Sequence, residues 1–119
     1  MKSYEELIVW QKGMDVVVLV YELTNLLPKS EIYGLTSQMR RASVSIPSNI
    51  AEGYTRKGRQ EYLQFLRIAF GSGAELETQL KIAERLEFVS KQDTEKTLAL
   101  LDEVMRMLNA LIRSLSPKP

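Results

Sequence analysis

YLQFLRIAFGSGAELETQLKIA, residues 62–83, places Tyr62, Leu66, Ala69, Gly73, Leu76, Leu80 and Ala83 at alternating spacings of four and three. That is an apolar seam held over three heptads, the signature of a helix packed lengthwise against another helix. Its middle is built of small residues (Ala69, Gly71, Ser72, Gly73, Ala74), so a neighbouring helix can approach closely there. Each glycine costs a helix roughly 1 kcal/mol relative to alanine, so Gly71 and Gly73 call for a packing reason.

Working outward, three further periodic stretches flank this helix. A chain of 119 residues fits one domain with one core, so residues 1–119 are expected to fold as a single unit. The first stretch opens with Ser3 and Glu6 at capping-box spacing and continues through Leu7, Trp10, Met14, Val17, Val18 and Tyr21. Val16–Val20 is strand-like in composition, but nothing else in the chain offers a strand to pair with it. A helix ending near Leu27, before Pro28, is therefore expected. The second helix should run from Gly34 or Leu35 to about Glu52, with Leu35, Met39, Ala42, Ile46 and Ile50 inward and a kink at Pro47. Gly53 is a stop signal, followed by a basic loop over residues 54–58. A fourth helix should start at a Ser90–Asp93 cap and carry Leu98, Leu101, Met105, Leu108, Ile112 and Leu115 on one seam. Four helices joined by short connections predict an all-α fold, an antiparallel up-down-up-down four-helix bundle.

Two helices carry more apolar surface than one seam requires. Leu100, Val104, Met107 and Leu111 lie beside the seam of the fourth, and Val16, Val20, Leu23 and Leu27 beside that of the first. Either these helices are central in the monomer, or the surplus forms a face for self-association into a homo-oligomer. The second reading is favoured, with Val16, Val20, Leu100, Val104, Met107 and Leu111 as the interface.

Several chemistries lack their residues. The chain has no cysteine and no histidine, which removes thiolate and Ser-His nucleophiles, structural zinc and the Glu-x-x-His sets of di-iron bundles. No clustered aspartates suggest calcium or magnesium, and Gly71-Ser72-Gly73 falls mid-helix with no strand before it, unlike a phosphate loop. No enzyme activity, metal or cofactor is expected. The start of the sequence lacks a signal-peptide pattern, and the longest apolar run, Val16–Tyr21, is far too short to span a membrane, so a cytoplasmic protein is expected.

Charge is uneven. Net charge is +1, yet residues 40–67 hold Arg40, Arg41, Arg56, Lys57, Arg59 and Arg67 against Glu52 and Glu61. This basic island points to a polyanionic partner, RNA or DNA, with Arg40, Arg56, Lys57, Arg59 and Arg67 as candidate phosphate contacts. The second helix also aligns Arg41, Ser45, Ser48 and Glu52 beside Gln38 and Asn49. With Glu75 as a partner for Arg41, Gln38, Arg41, Ser45, Asn49, Glu52 and Glu75 read as a polar network fixing helix register.

The stretch GLTSQMRRASVSIPSNIAEG, residues 34–53, closely resembles the hallmark segment of the 23S rRNA intervening-sequence proteins, also called the four helix bundle protein family. AFGSGAELETQL, residues 69–80, is similar to that family's second signature, except that Gly73 stands where a larger apolar residue is expected. The resemblance runs over nearly the whole chain and is weakest in the last helix. It implies an antiparallel four-helix bundle assembled as a cyclic homopentamer, with no established activity for most members. It also implies kinship with the accessory variability determinant of diversity-generating retroelements, a basic pentameric barrel that binds nucleic acid and a reverse transcriptase. Nucleic-acid binding is the first expectation for function, and a protein-interaction scaffold without nucleic-acid contact is the alternative.

Overall fold

The computed structural model of the chain describes residues 3–117. Those residues form four helices and no strand: α1 (Ile8–Thr24), α2 (Leu35–Tyr54), α3 (Arg59–Arg85) and α4 (Lys91–Leu115). Single 3₁₀ turns, Tyr4–Glu6 and Lys29–Glu31, precede α1 and α2. Each helix touches two others, in the circular order α1, α2, α3, α4, giving a helical bundle of 44 × 25 × 21 Å.

The α3 seam lies in the core as its spacing predicts, with Leu66, Ala69, Leu76, Leu80 and Ala83 at zero exposure and Tyr62 half-buried. In α2, Met39, Ala42, Ile46 and Ile50 face inward and Leu35 packs half-buried at the edge. The helix runs on through Pro47, which is buried; Ile46 Cγ2 and Pro47 Cβ both lie 3.6 Å from where a side chain on Gly13 of α1 would begin. In α4, Ser90 and Asp93 form a full capping box: the Asp93 amide donates to Ser90 Oγ at 3.1 Å and the Ser90 amide to Asp93 Oδ2 at 2.9 Å. α3 ends where Glu87 takes a left-handed φ of 61° and the Phe88 amide reaches back to the Ala83 carbonyl at 3.0 Å.

The first helix departs from the sequence reading. Ser3 accepts a hydrogen bond from the Glu5 amide and caps only the 3₁₀ turn, because Leu7 is extended and α1 begins one residue later. At its other end α1 stops at Thr24 rather than Leu27. Its inward face is also the opposite one. Val9, Gly13, Val16, Val20 and Leu23 are buried, while Met14, Val18 and Tyr21 are 42–56 % exposed. Val16, Val20 and Val104 therefore do not form an outer face; all three are fully enclosed in the monomer core. Leu100, Met107 and Leu111 pack against the same core but stay half-buried, so of the surplus stripe of α4 only Val104 is wholly enclosed within the bundle. The reason in α1 is that its middle is apolar all round, and the contact of Gly13 with α2 selects the face.

Two glycines are sites of close approach. A Cβ on Gly53 would lie 2.7 Å from Phe65 Cβ and 3.0 Å from Tyr62 Cδ1. A Cβ on Gly73 would overlap the Met105 thioether, which fills the space left where a larger apolar residue was expected. Gly53→Ala should therefore lower stability by about 1–3 kcal/mol in denaturant unfolding, the usual cost of overpacking. Gly73→Ala should cost less, because the flexible methionine can move aside.

Candidate nucleic-acid interface

The turn between α2 and α3 is short because the two helices are held together up to their ends, with Gly53 packed under Tyr62 and Phe65. That places Arg56, Lys57 and Arg59 at one tip of the bundle. Lys57 and Arg59 are exposed and make no ion pair or hydrogen bond. Gly58 caps α3 with no side-chain bond, so the partial positive end of the helix lies beside these two cations. Arg67, eight residues further and so roughly 12 Å along the axis, is also exposed and unpaired.

Two of the predicted phosphate contacts are otherwise engaged. Arg56 pairs with Glu52 at 3.0 Å and with Glu61 at 3.9 Å, and its guanidinium lies over the Phe65 ring at 5.0 Å. Arg40 sits roughly 24 Å from Arg56 along α2, outside the cluster. Its Nε donates to Thr24 Oγ1 at 2.9 Å, its Nη2 to Asn25 Oδ1 at 3.3 Å, and it stacks on Tyr21 at 4.6 Å. Arg40 thus joins α2 to the end of α1. The aromatic part of the tip is Tyr54 edge-on to Tyr62, centroids 6.0 Å apart; burial, and then Tyr54, raise the Tyr62 phenol above its ordinary pKa of 10.0.

The polar network on α2 exists in a smaller form than the sequence suggests. Ser45 Oγ and Ser72 Oγ share a hydrogen bond of 2.8 Å across the α2–α3 contact, and Asn49 Nδ2 donates to the Ser45 carbonyl and hydroxyl at 2.8 and 2.9 Å. Glu52 belongs to Arg56, and Gln38 is exposed. The expected Arg41–Glu75 pair is not made: both line one groove with Gln38, Ser45 and Ser72, but Glu75 accepts instead from Gln79 Nε2 at 3.3 Å. Gln79 was missed. It is 5 % exposed, its Oε1 is sealed without a partner, and its only signal in the sequence is its place seven residues after Ser72.

No group of three or more acidic, histidine or cysteine side chains that could hold a metal ion occurs among the described residues. Nor is any helix among them long and apolar enough to cross a membrane.

The family model for the 23S rRNA-intervening sequence protein matches residues 5–110. The chain belongs to that family. Its fold is also similar to the crystal structure of a protein of unknown function from the S23 ribosomal protein family of Bacteroides thetaiotaomicron VPI-5482, with a TM-score of 0.82. Identity to that chain is 24 %, over 88 % of this chain and 98 % of the other, so the likeness concerns the fold. No curated protein matches the chain. The family match spans both quoted signatures, so the Ser45–Ser72 bond joins the hallmark segment on α2 to the second signature on α3.

Ser45→Ala and Ser72→Ala should each destabilise by about 1 kcal/mol, since each leaves a partly buried hydroxyl or amide short of a partner. The double variant should cost less than the sum of the two, a coupling measurable in a double-mutant unfolding cycle.

Proposed function

We propose that this family member acts without catalysis, as a cyclic homo-oligomer (a pentamer) of antiparallel up-down-up-down bundles that binds RNA or DNA through phosphate contacts. The observation that carries the nucleic-acid reading is the tip formed by Lys57 and Arg59 beside the uncapped start of α3, with Arg67 one step along: exposed cations with no carboxylate partner. Repetition around a ring would multiply three modest contacts into a surface able to hold a polyanion. Absence of histidine and cysteine supports a non-catalytic role, and the location is proposed to be cytoplasmic.

Assembly is proposed through the outer seam of α3. Ile68, Gly71, Glu75, Thr78 and Ile82 recur there at spacings of three and four on the exposed side. Ile68 is 46 % and Ile82 41 % exposed, and a Cβ on Gly71 would meet nothing within 4 Å. A glycine in mid-helix with no neighbour in its own monomer gains its packing reason from a second copy. Gly71→Leu should leave helicity and the monomer's melting temperature undiminished while lowering the assembled fraction in light scattering. An assembly unaffected by the leucine would place the contact elsewhere.

Titration with a structured RNA and with duplex DNA over a range of salt tests the first reading. Affinity should fall steeply with salt, and Lys57→Gln, Arg59→Gln and Arg67→Gln should each weaken binding and reduce the log–log salt slope by about 0.7–0.9. Absence of binding at low salt removes this reading. The second reading is a protein scaffold, for instance one that recruits a reverse transcriptase. It is favoured by the connection before α2, where Tyr33 is 95 % and Ile32 47 % exposed, a pairing suited to a protein surface.

A further inference from the structure

The far end of α2 holds a second electropositive feature that the proposed nucleic-acid tip does not use. A groove of about 550 Å³ runs between α1 and the first three turns of α2, a volume in the range of small-ligand sites. Tyr21 and Val44 form apolar walls, Ile32 closes one end, and Thr36, Arg40 and Arg41 supply its polar floor and rim. No acidic side chain lines it.

Four observations bear on what it could hold. First, Arg40 is fixed in place by Thr24, Asn25 and the Tyr21 ring, yet two bonds occupy two of its five N–H groups and leave three to give. Second, Arg41 is exposed and has no partner. Third, α2 begins at Gly34 with no side-chain cap on its own account. Glu31 Oε1 accepts from the Leu35 amide at 3.1 Å, and the amides of Thr36 and Ser37 find no acceptor among the described residues. Fourth, Thr36 is only 3 % exposed and its hydroxyl makes no hydrogen bond, although its side chain lines the groove. The hydroxyl opens onto the groove and, like the two amides, can donate to an anion held there. Two acids lie close by: Glu31, whose carboxylate takes the Leu35 amide at the start of α2, and Glu22, which lines the adjoining hollow with Val17, Val18 and Arg40.

We propose that the groove bounded by Tyr21, Thr36, Arg40 and Arg41 binds a phosphomonoester carried on a small planar or apolar body. The phosphate oxygens take donors from Arg40, Arg41, the Thr36 hydroxyl and the two free amides at the start of α2. The body lies against Tyr21 and Val44. This site stands apart from the tip at Lys57 and Arg59, roughly 24 Å along α2, and does not depend on it.

Amide NMR titration of the whole chain with adenosine 5′-monophosphate tests the assignment, with inorganic phosphate, adenosine and a 5′-phosphorylated tetranucleotide as parallel arms. Adenosine 5′-monophosphate should give saturable shifts at Thr36, Ser37 and Arg41, inorganic phosphate the same shifts with weaker affinity, and adenosine none. A tetranucleotide that binds there better than the mononucleotide identifies the end of a strand as the source of the phosphate; the reverse identifies a free nucleotide. Arg41→Gln should weaken binding by about tenfold or more, as loss of a charge-assisted contact does, and its exposed, unpaired position keeps the fold intact. Thr36→Val should weaken it as well, whereas Lys96→Gln at an exposed site on α4 should change nothing. The proposal is overturned by an absence of saturable shifts at millimolar ligand, by adenosine binding equally well, by shifts centred on residues 57–67, or by an Arg41→Gln variant that binds normally.

Discussion

The close contact of α2 with α3 governs the arrangement of everything else. Along it Gly53 meets Tyr62 and Phe65, and Ser45 meets Ser72, so at each of these points at least one side is small. Small side chains let the backbones approach, and the Ser45–Ser72 bond then fixes which residues meet. A hydroxyl pair suits this duty better than an apolar pair would: a slip of one turn would break the bond between two part-buried hydroxyls, a penalty that a leucine seam would not impose. Because register is fixed there, Gly53 arrives under Phe65 and Tyr62, the turn that follows needs only a few residues, and Lys57 and Arg59 are held at a defined tip instead of in a wandering loop.

How far residues announce their positions depended on whether a local pattern or a distant contact decided them. The α3 seam, the α2 stripe and the Ser90–Asp93 cap are local, and each was legible. In α1 the pattern was degenerate. Val16 to Val20 is apolar on every side, so hydrophobic period could not choose between the face holding Val18 and Tyr21 and the face holding Val16 and Val20. The choice is made by Gly13, where absence of a side chain lets Ile46 and Pro47 come close. That contact joins positions more than thirty residues apart, so Gly13 marks the inward face only once its partners on α2 are in place. Val104 of α4 shows the same limit: its helix period places it beside the main seam, yet it is enclosed, because its neighbours in the bundle, not its own helix, supply its cover.

Charges show a related limit. Counting residues 40–67 as a basic island is correct arithmetic, but it treats six cations as equivalent. Three-dimensional placement separates them. Arg56 is offset by two carboxylates, and Arg40 is a bracket between helices, while Arg41, Lys57, Arg59 and Arg67 have no partner. Long side chains also make pairing hard to foresee. Arg41 and Glu75 share a groove and could meet, yet Glu75 turns to Gln79 one helical turn along its own helix. Gln79 itself, a buried amide beside a leucine seam, is a position where sequence reasoning sees an interruption and structure sees a polar group enclosed by packing.

The free cations therefore fall into two groups: Arg41 in the second turn of α2, and Lys57, Arg59 and Arg67 in the turn after α2 and along α3. Surface ion pairs contribute little to stability, and these four residues make none, so the bundle's stability is set by the apolar core and by the serine contact rather than by them. Residues that do not hold the fold together, and that lie unneutralised beside helix starts with open amides, are free to be specified by something outside the chain. The start of α3 has no side-chain cap, and at the start of α2 Glu31 takes only the Leu35 amide, so in each place helix amides stay open beside unpaired cations, the feature on which both proposals rest.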